Sequence, residues 1–158
     1  MVTSTSEELT RRLGMVLGEL SQAGSVIALN GELGAGKTVF ARGVADGLKV
    51  REAVSSPSYV LMNLYRGRLE LYHFDFYRLE NEEELDELGL DEYFYGEGVS
   101  LVEWADKFPG VMPPTRVEIE IVKDPRDLDN SRVLYFKQMG KENGFLFEEL
   151  KRVASACN

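Results

Sequence analysis

Leu9, Leu13, Val16, Leu17 and Leu20 recur at three- and four-residue intervals, so residues 6–21 are predicted to form an amphipathic helix that starts at Ser6 and ends before Gly24. Ser25-Val-Ile-Ala-Leu-Asn30 follows as a short apolar run with β-branched residues, the pattern of a buried strand. Helical spacing returns at Val39, Phe40, Val44 and Leu48. Beyond Pro57, which breaks regular structure, residues 59–65 and 69–76 read as two strands joined like a hairpin at Arg66-Gly67-Arg68. Asn81, with Glu84 three residues on, marks a helix start that carries Leu85 and Leu88 and leads into a loop with Tyr93, Phe94 and Tyr95. Residues 99–103 are predicted as a second interior strand. Residues 116–122 and 132–138 read as further strands separated by the polar stretch 124–131, and 145–156 as a closing helix. The alternation of helix and strand predicts an α/β protein, and the hairpin adds an antiparallel element to its sheet. A length of 158 residues, with no repeat and no linker rich in Pro, Gly or Ser, suits one domain spanning 1–158.

The stretch between the first strand and the second helix adds chemistry to this pattern. Residues 31–38, Gly-Glu-Leu-Gly-Ala-Gly-Lys-Thr, satisfy the phosphate-binding pattern Gly-x4-Gly-Lys-Thr in the strand-to-helix setting that it requires. Gly31 and Gly36 accept backbone angles that a Cβ resists, and Gly34 relaxes the turn, so successive N–H groups can point into one concavity. The following helix adds the positive end of its dipole. Lys37 supplies a mobile charge for β- and γ-phosphates, and the Thr38 hydroxyl suits Mg²⁺.

A magnesium-dependent nucleotide enzyme also needs a carboxylate near the metal, commonly at the C-terminal end of a neighbouring strand. Asp75 and Glu103 both end predicted strands. Either could bind the metal or orient a water, and Asp75 reads equally well as a surface acid; the pattern does not order them. His73, the only histidine, lies inside a strand, where packing or hydrogen bonding in the core outweighs catalysis. Arg78 could reach a phosphate, tie down Asp75 or form a surface ion pair. Ser56 and Ser58 flank Pro57 and could sense metal or phosphate, and Trp104 suits core packing better than a surface anchor.

A formal charge of −9 argues against direct binding of DNA or RNA, which draws on basic groups. Nine acids and no Lys or Arg lie between Glu80 and Glu97, either as a solvated helix face or as a docking surface for a basic partner. No apolar run approaches the ~18 residues of a membrane span. The N-terminus lacks a basic start with an apolar stretch, and the only cysteine is Cys157, so a reducing cytoplasm is the expected location.

Leu-Gly-Ala-Gly-Lys-Thr (33–38), Ser-Pro-Ser-Tyr (56–59), His-Phe-Asp-Phe-Tyr-Arg-Leu (73–79) and Leu-Val-Glu-Trp (101–104) occur in this order, and over residues 5–122 the chain resembles the TsaE family, also called YjeE. The resemblance implies a single-domain, P-loop NTPase-like three-layer α/β sandwich around a mixed sheet. It implies Mg-ATP as ligand and weak ATP hydrolysis in support of a TsaB–TsaD assembly that forms N6-threonylcarbamoyladenosine at position 37 of certain tRNAs, with tRNA engaged only indirectly. Carried onto this chain, nucleotide contacts fall to Gly31, Leu33, Gly34, Ala35, Gly36, Lys37, Thr38 and Val39. Glu7 lies at the family's N-terminal helix start near the adenine side, and Arg132 could approach the nucleotide. Lys37, Asp75 and Glu103 would be catalytic, and Thr38, Asp75 and Glu103 would serve the metal. Ser58 stands where the family usually has Thr and keeps the hydroxyl; Val39 stands where a second Thr is common.

Two other activities use such a loop. A small-molecule kinase needs an acceptor pocket and an arginine-bearing lid, and the Arg and Lys residues after the loop are scattered without a cluster of that kind. A signalling GTPase would carry an Asn-Lys-x-Asp segment, which the sequence lacks, so ATP is expected over GTP.

Overall fold

The computed structural model describes residues 1–141 and 144–157. Residues 142, 143 and 158, part of the expected domain span, lie outside the described residues. The chain opens with a three-residue strand, β1 (Val2–Ser4), that has too little pattern to be legible in the sequence. The first helix, α1 (Glu7–Leu20), is capped by the Ser6 side chain, which accepts the Leu9 N–H at 3.1 Å. Its last carbonyls have a distant partner: the Arg68 guanidinium donates to Gly18 and Ser21, each at 2.9 Å. β2 (Val26–Asn30), the glycine loop and α2 (Lys37–Gly47) follow as the hydrophobic pattern predicts.

The predicted hairpin is shorter than its sequence pattern. Val60 and Leu61 both donate backbone N–H groups to the Pro57 carbonyl, at 3.2 and 2.8 Å, and Leu61 takes a positive φ of 70°. Residues 58–61 are therefore a turn, and pairing occurs only between β3 (Met62–Tyr65) and β4 (Leu71–Asp75). Asn81 and Glu84 exchange the expected reciprocal bonds, with the Glu84 N–H on Asn81 Oδ1 at 3.3 Å and the Asn81 N–H on Glu84 Oε2 at 3.4 Å. The helix that they open, α3 (Glu83–Asp86), ends within one turn. Gly89 at φ 64° then introduces α4 (Leu90–Phe94), so the predicted aromatic loop is partly helical because Leu90 and Phe94 turn inward together.

β5 (Val99–Glu103) has the predicted bounds, while β6 (Arg116–Asp124) and β7 (Asp127–Met139) extend beyond theirs. Lys123 pairs with Arg132 and the next pair is Asp124 with Asp127, so half of the predicted polar turn, residues 128–131, is a bulge extruded from β7. The chain closes with α5 (Gly144–Ala156).

The seven strands among the described residues join one sheet in the order β1-β7-β6-β2-β5-β4-β3. The four central strands β6, β2, β5 and β4 are mutually parallel; β1, β7 and β3 add antiparallel edges. Alternate residues serve two cores. Ile27, Leu29, Leu101 and Ile119 face α1, α2 and α5, whereas Val26, Ala28, Phe74 and Val102 face α3, α4 and the short turns at 105–111. The result is a mixed-sheet α/β sandwich with unequal outer layers. On the first face, α1 and α2 are in backbone contact. A Cβ at Gly43 would lie 2.0 Å from the Arg11 carbonyl oxygen, and one at Gly14 would lie 2.3 Å from that of Phe40. Only glycine permits this approach, which fixes the start of α1 relative to the start of α2.

Candidate functional site

The site forms where the parallel strands end. β2 runs out at Asn30, and the chain turns through Gly31, Gly34 and Gly36 at φ 150°, 75° and 113° before entering α2 at Lys37. These angles curl the loop around the first turn of a helix whose leading N–H groups have no acceptor within the helix. Arg132 braces the loop from β7 by donating from Nε to the Ala35 carbonyl at 2.9 Å. It thus supports the loop backbone, while the cleft wall comes from other residues.

Lys37 is buried. Its ammonium donates to the carbonyls of Gly31 at 2.5 Å and Glu32 at 2.8 Å, and lies 4.4 Å from the centre of the Trp104 ring. Desolvation pushes its pKa below the ordinary lysine value, while Glu103, Asp75, Asp106 and Glu32 pull it back up. Trp104 itself takes a left-handed backbone conformation, φ 58°, unusual for a bulky residue and costly by about 1–3 kcal/mol. That conformation turns the chain at the end of β5; the ring lies over Lys37 and against Tyr77, with ring centres 5.0 Å apart. Trp104 packs against the core beneath α3 and α4, as the sequence reading expects, and its half-buried ring also forms a wall of the cleft.

Asp75 and Glu103 are neighbours in register on β4 and β5, so the two acids that sequence could not order stand side by side at one edge. Their surroundings differ. Asp75 Oδ2 accepts from the hydroxyls of Ser56 and Ser58, each at 3.0 Å, and Oδ1 accepts the Tyr77 N–H at 2.9 Å. Among the described residues Glu103 is held through one oxygen, Oε2, which lies 2.7 Å from Nε2 of His73.

Lys37, Ser56, Ser58, Asp75, Tyr77, Glu103 and Trp104, together with Glu7, Leu33, Gly34, Gly36, Thr38 and Val39, line a cleft of about 270 Å³. The nucleotide residues expected from sequence thus come together, except that Gly31 and Ala35 of the loop do not line the cleft and Arg132 supports the loop from behind. Arg78 is not part of the cleft. Its guanidinium lies 4.0 Å from the centre of the exposed Tyr59 ring, and among the described residues it forms no ion pair. Tyr77 was not singled out by sequence. Its signal is its position two residues after a strand-ending acid, where an Asp side chain can fold back onto a backbone N–H. The His73–Glu103 pair was also missed as a pair, although parallel strands place residues 73, 75 and 103 on one face.

A larger cavity, about 360 Å³, opens at the other end of β2 between α1 and the start of β6. Among the described residues no carboxylate lines it, and its Arg116 is already spent on Glu118 at 2.7 Å and the Pro113 carbonyl at 2.8 Å. The chemistry is at the glycine loop.

Fold and site together define an α/β protein with a phosphate-loop sequence at the carboxyl end of a parallel sheet core. The family model for the threonylcarbamoyl adenosine biosynthesis protein TsaE matches residues 4–133. The tRNA threonylcarbamoyladenosine biosynthesis protein TsaE of Bacillus subtilis (strain 168) is 41% identical over 156 residues, covering 98% of this chain and 96% of that protein. The protein of the same name from Treponema pallidum (strain Nichols) is 42% identical over 118 residues, covering 75% and 87%. The crystal structure of Bacillus subtilis YdiB superposes with a TM-score of 0.79 at 35% identity, covering 96% of this chain and 97% of that one. This chain belongs to the TsaE family, whose role is in tRNA threonylcarbamoyladenosine biosynthesis. No helix among the described residues is long and apolar enough to cross a membrane.

Proposed function

We propose that this chain binds Mg-ATP in the cleft at residues 31–38, hydrolyses it slowly, and uses the cycle to support TsaB and TsaD in forming N6-threonylcarbamoyladenosine at position 37 of tRNA in the cytoplasm. The observation that carries this reading is the convergence of Lys37, Asp75 and Glu103 on the glycine loop at the start of α2. The donors at hand fit magnesium. Thr38, Ser56, Ser58, Asp75 and Glu103 offer only hard oxygens, and one or two carboxylates with substrate phosphates are what this ion ordinarily takes. Thr38 and Glu103 would hold it, with Asp75 assisting; the ion supplies charge neutralisation to the phosphates.

The protein's own contribution is positional. The loop N–H groups and the Lys37 ammonium bind phosphate oxygens, and Trp104 and Tyr77 limit water at that edge. Asp75 keeps Ser56 and Ser58 at the cleft, so a change in its bonding would be felt by the 51–61 segment. Glu7 offers an acceptor at the far side for a base amine. The chain's net charge of −9 favours contact with protein partners over direct contact with tRNA.

The test is to mix the purified chain with a TsaB–TsaD pair. Co-elution and a rise in ATP hydrolysis on mixing are expected, with Asp75→Asn and Glu103→Gln each lowering turnover more than ATP affinity. No association and no rate change, with an added metabolite phosphorylated instead, would overturn the reading in favour of a small-molecule kinase.

A further inference from the structure

The only histidine in the chain is fully buried on β4, with no accessible surface, among residues that pack against α1 and α2. Leu, Ile or Val would fill such a position without the cost of removing a polar ring from water. His73 instead meets Glu103, itself 2% exposed, at 2.7 Å between Nε2 and Oε2. The other ring nitrogen, Nδ1, is buried with no hydrogen-bond partner among the described residues. A ring with its proton on Nε2 donates to the carboxylate and leaves at Nδ1 a bare acceptor; a proton on Nδ1 would leave a buried N–H without an acceptor, which proteins avoid more strictly.

The bond has a direction. His73 lies two residues before Asp75 on the same face of β4, and Asp75 is in register with Glu103 on β5. The imidazole therefore approaches the carboxylate from inside the sheet core, behind the cleft wall. It engages Oε2, while Oε1 has no hydrogen-bond partner among the described residues. The contrast with Asp75 is sharp, because both oxygens of Asp75 accept hydrogen bonds from the protein.

We infer that His73 is a positioning residue: its Nε2–H fixes Glu103 in one rotamer with a single oxygen presented to the cleft. The inference rests on the Mg-ATP reading above and extends it to a residue that does not touch nucleotide or metal. A buried carboxylate on three rotatable bonds is otherwise free to swing toward Lys37, which lines the same cleft. Partners of this kind behind a metal-binding group commonly change metal affinity or activity by about 10- to 100-fold.

The test uses the intact chain and two substitutions. His73→Leu keeps an apolar body and removes the donor; His73→Gln keeps an N–H donor without an imidazole. With Mn²⁺ as the probe and ATP present, electron paramagnetic resonance counts bound and free ion. His73→Leu is expected to weaken Mn²⁺ uptake by about 10- to 100-fold and to lower kcat with little change in KM for ATP, and His73→Gln to recover most of both. Equal Mn²⁺ affinity and turnover in wild type and His73→Leu would overturn the inference, as would His73→Gln behaving like His73→Leu. No Mn²⁺ uptake by the wild type with ATP would instead sink the Mg-ATP reading itself.

Should His73→Leu fail to fold, the native ring is its own reporter, because ¹⁵N-histidine labelling gives one imidazole signal. A proton on Nε2 that shifts in Glu103→Gln supports the assignment. A signal with the proton on Nδ1, or one indifferent to Glu103→Gln, overturns it.

Discussion

The two faces of the sheet are built by different rules. On one, α1 and α2 are regular helices of 14 and 11 residues pressed into backbone contact through Gly14 and Gly43. On the other, α3 and α4 have four and five residues, and the core is an aromatic cluster in which Phe74 meets Tyr93 at 5.5 Å and Phe94 at 6.2 Å between ring centres. The glycine loop, Lys37 and Thr38 lead into α2 on the first face, and Asp75 and Glu103 end strands that open toward it, while Trp104 reaches the cleft from the second. Position at the site thus depends on helices locked by close approach, and the second face supplies stability through a smaller cluster rich in aromatic contacts.

Substitutions on each face should separate these roles. Phe74→Ala, on the short-helix face, empties a fully buried aromatic site and is expected to cost about 3–5 kcal/mol, read as a lower denaturation midpoint. ATP affinity of the folded fraction should be almost unchanged. Gly43→Ala should cost less, about 1–3 kcal/mol, because a Cβ there meets the Arg11 backbone carbonyl and the clash is relieved by a shift of α1. It should nonetheless weaken ATP binding measurably, since the displaced α1 carries Glu7 away from the loop. If Phe74→Ala impairs nucleotide affinity more than Gly43→Ala, the division between faces is wrong.

The first face was also the more legible in sequence. The 3.6-residue spacing of Leu9 through Leu20, the apolar run at 25–30 and the glycine pattern are local signals, and each describes an element whose form is set locally. The second face and the sheet edges depend more on partners that the local hydrophobic pattern does not reveal. Tyr59 and Val60 look like strand residues, yet the Pro57 carbonyl draws their segment into a turn and leaves Tyr59 84% exposed. Phe94 is helical because Leu90 and Phe94 share a pocket made by β4 and β5. β1 is a strand only because β7 offers it an edge.

The site divides in the same way. The loop, both acids and the serine pair were visible as residue types. What each acid bonds to was not, because Asp75 is defined by a loop 17–19 residues away and Glu103 by a histidine 30 residues away. The family resemblance named the residues, and strand register related them.

The smallest expected effect lies far from either core. At the β6–β7 turn, the Arg126 side chain and its backbone N–H hold the Asp124 carboxyl at about 2, below its ordinary 3.8. A carboxyl lowered in the folded state contributes stability that is fully present above the unfolded value and is lost as pH falls toward the folded one. Asp124→Asn should therefore be slightly less stable than the parent at neutral pH, with the difference vanishing as pH falls from about 4 to about 2. A difference that grows on acidification would contradict this sign.

Nucleotide binding at the 31–38 loop is the claim on which the rest depends, and calorimetric titration of ATP with Mg²⁺ into the intact chain tests it most directly. The wild type should bind one ATP. Lys37→Ala, which removes the charged hydrogen bonds to phosphate, should lose about 1.5–3 kcal/mol, a weakening of roughly tenfold to over a hundredfold. Equal affinity in the two proteins would place the nucleotide elsewhere and contradict the account.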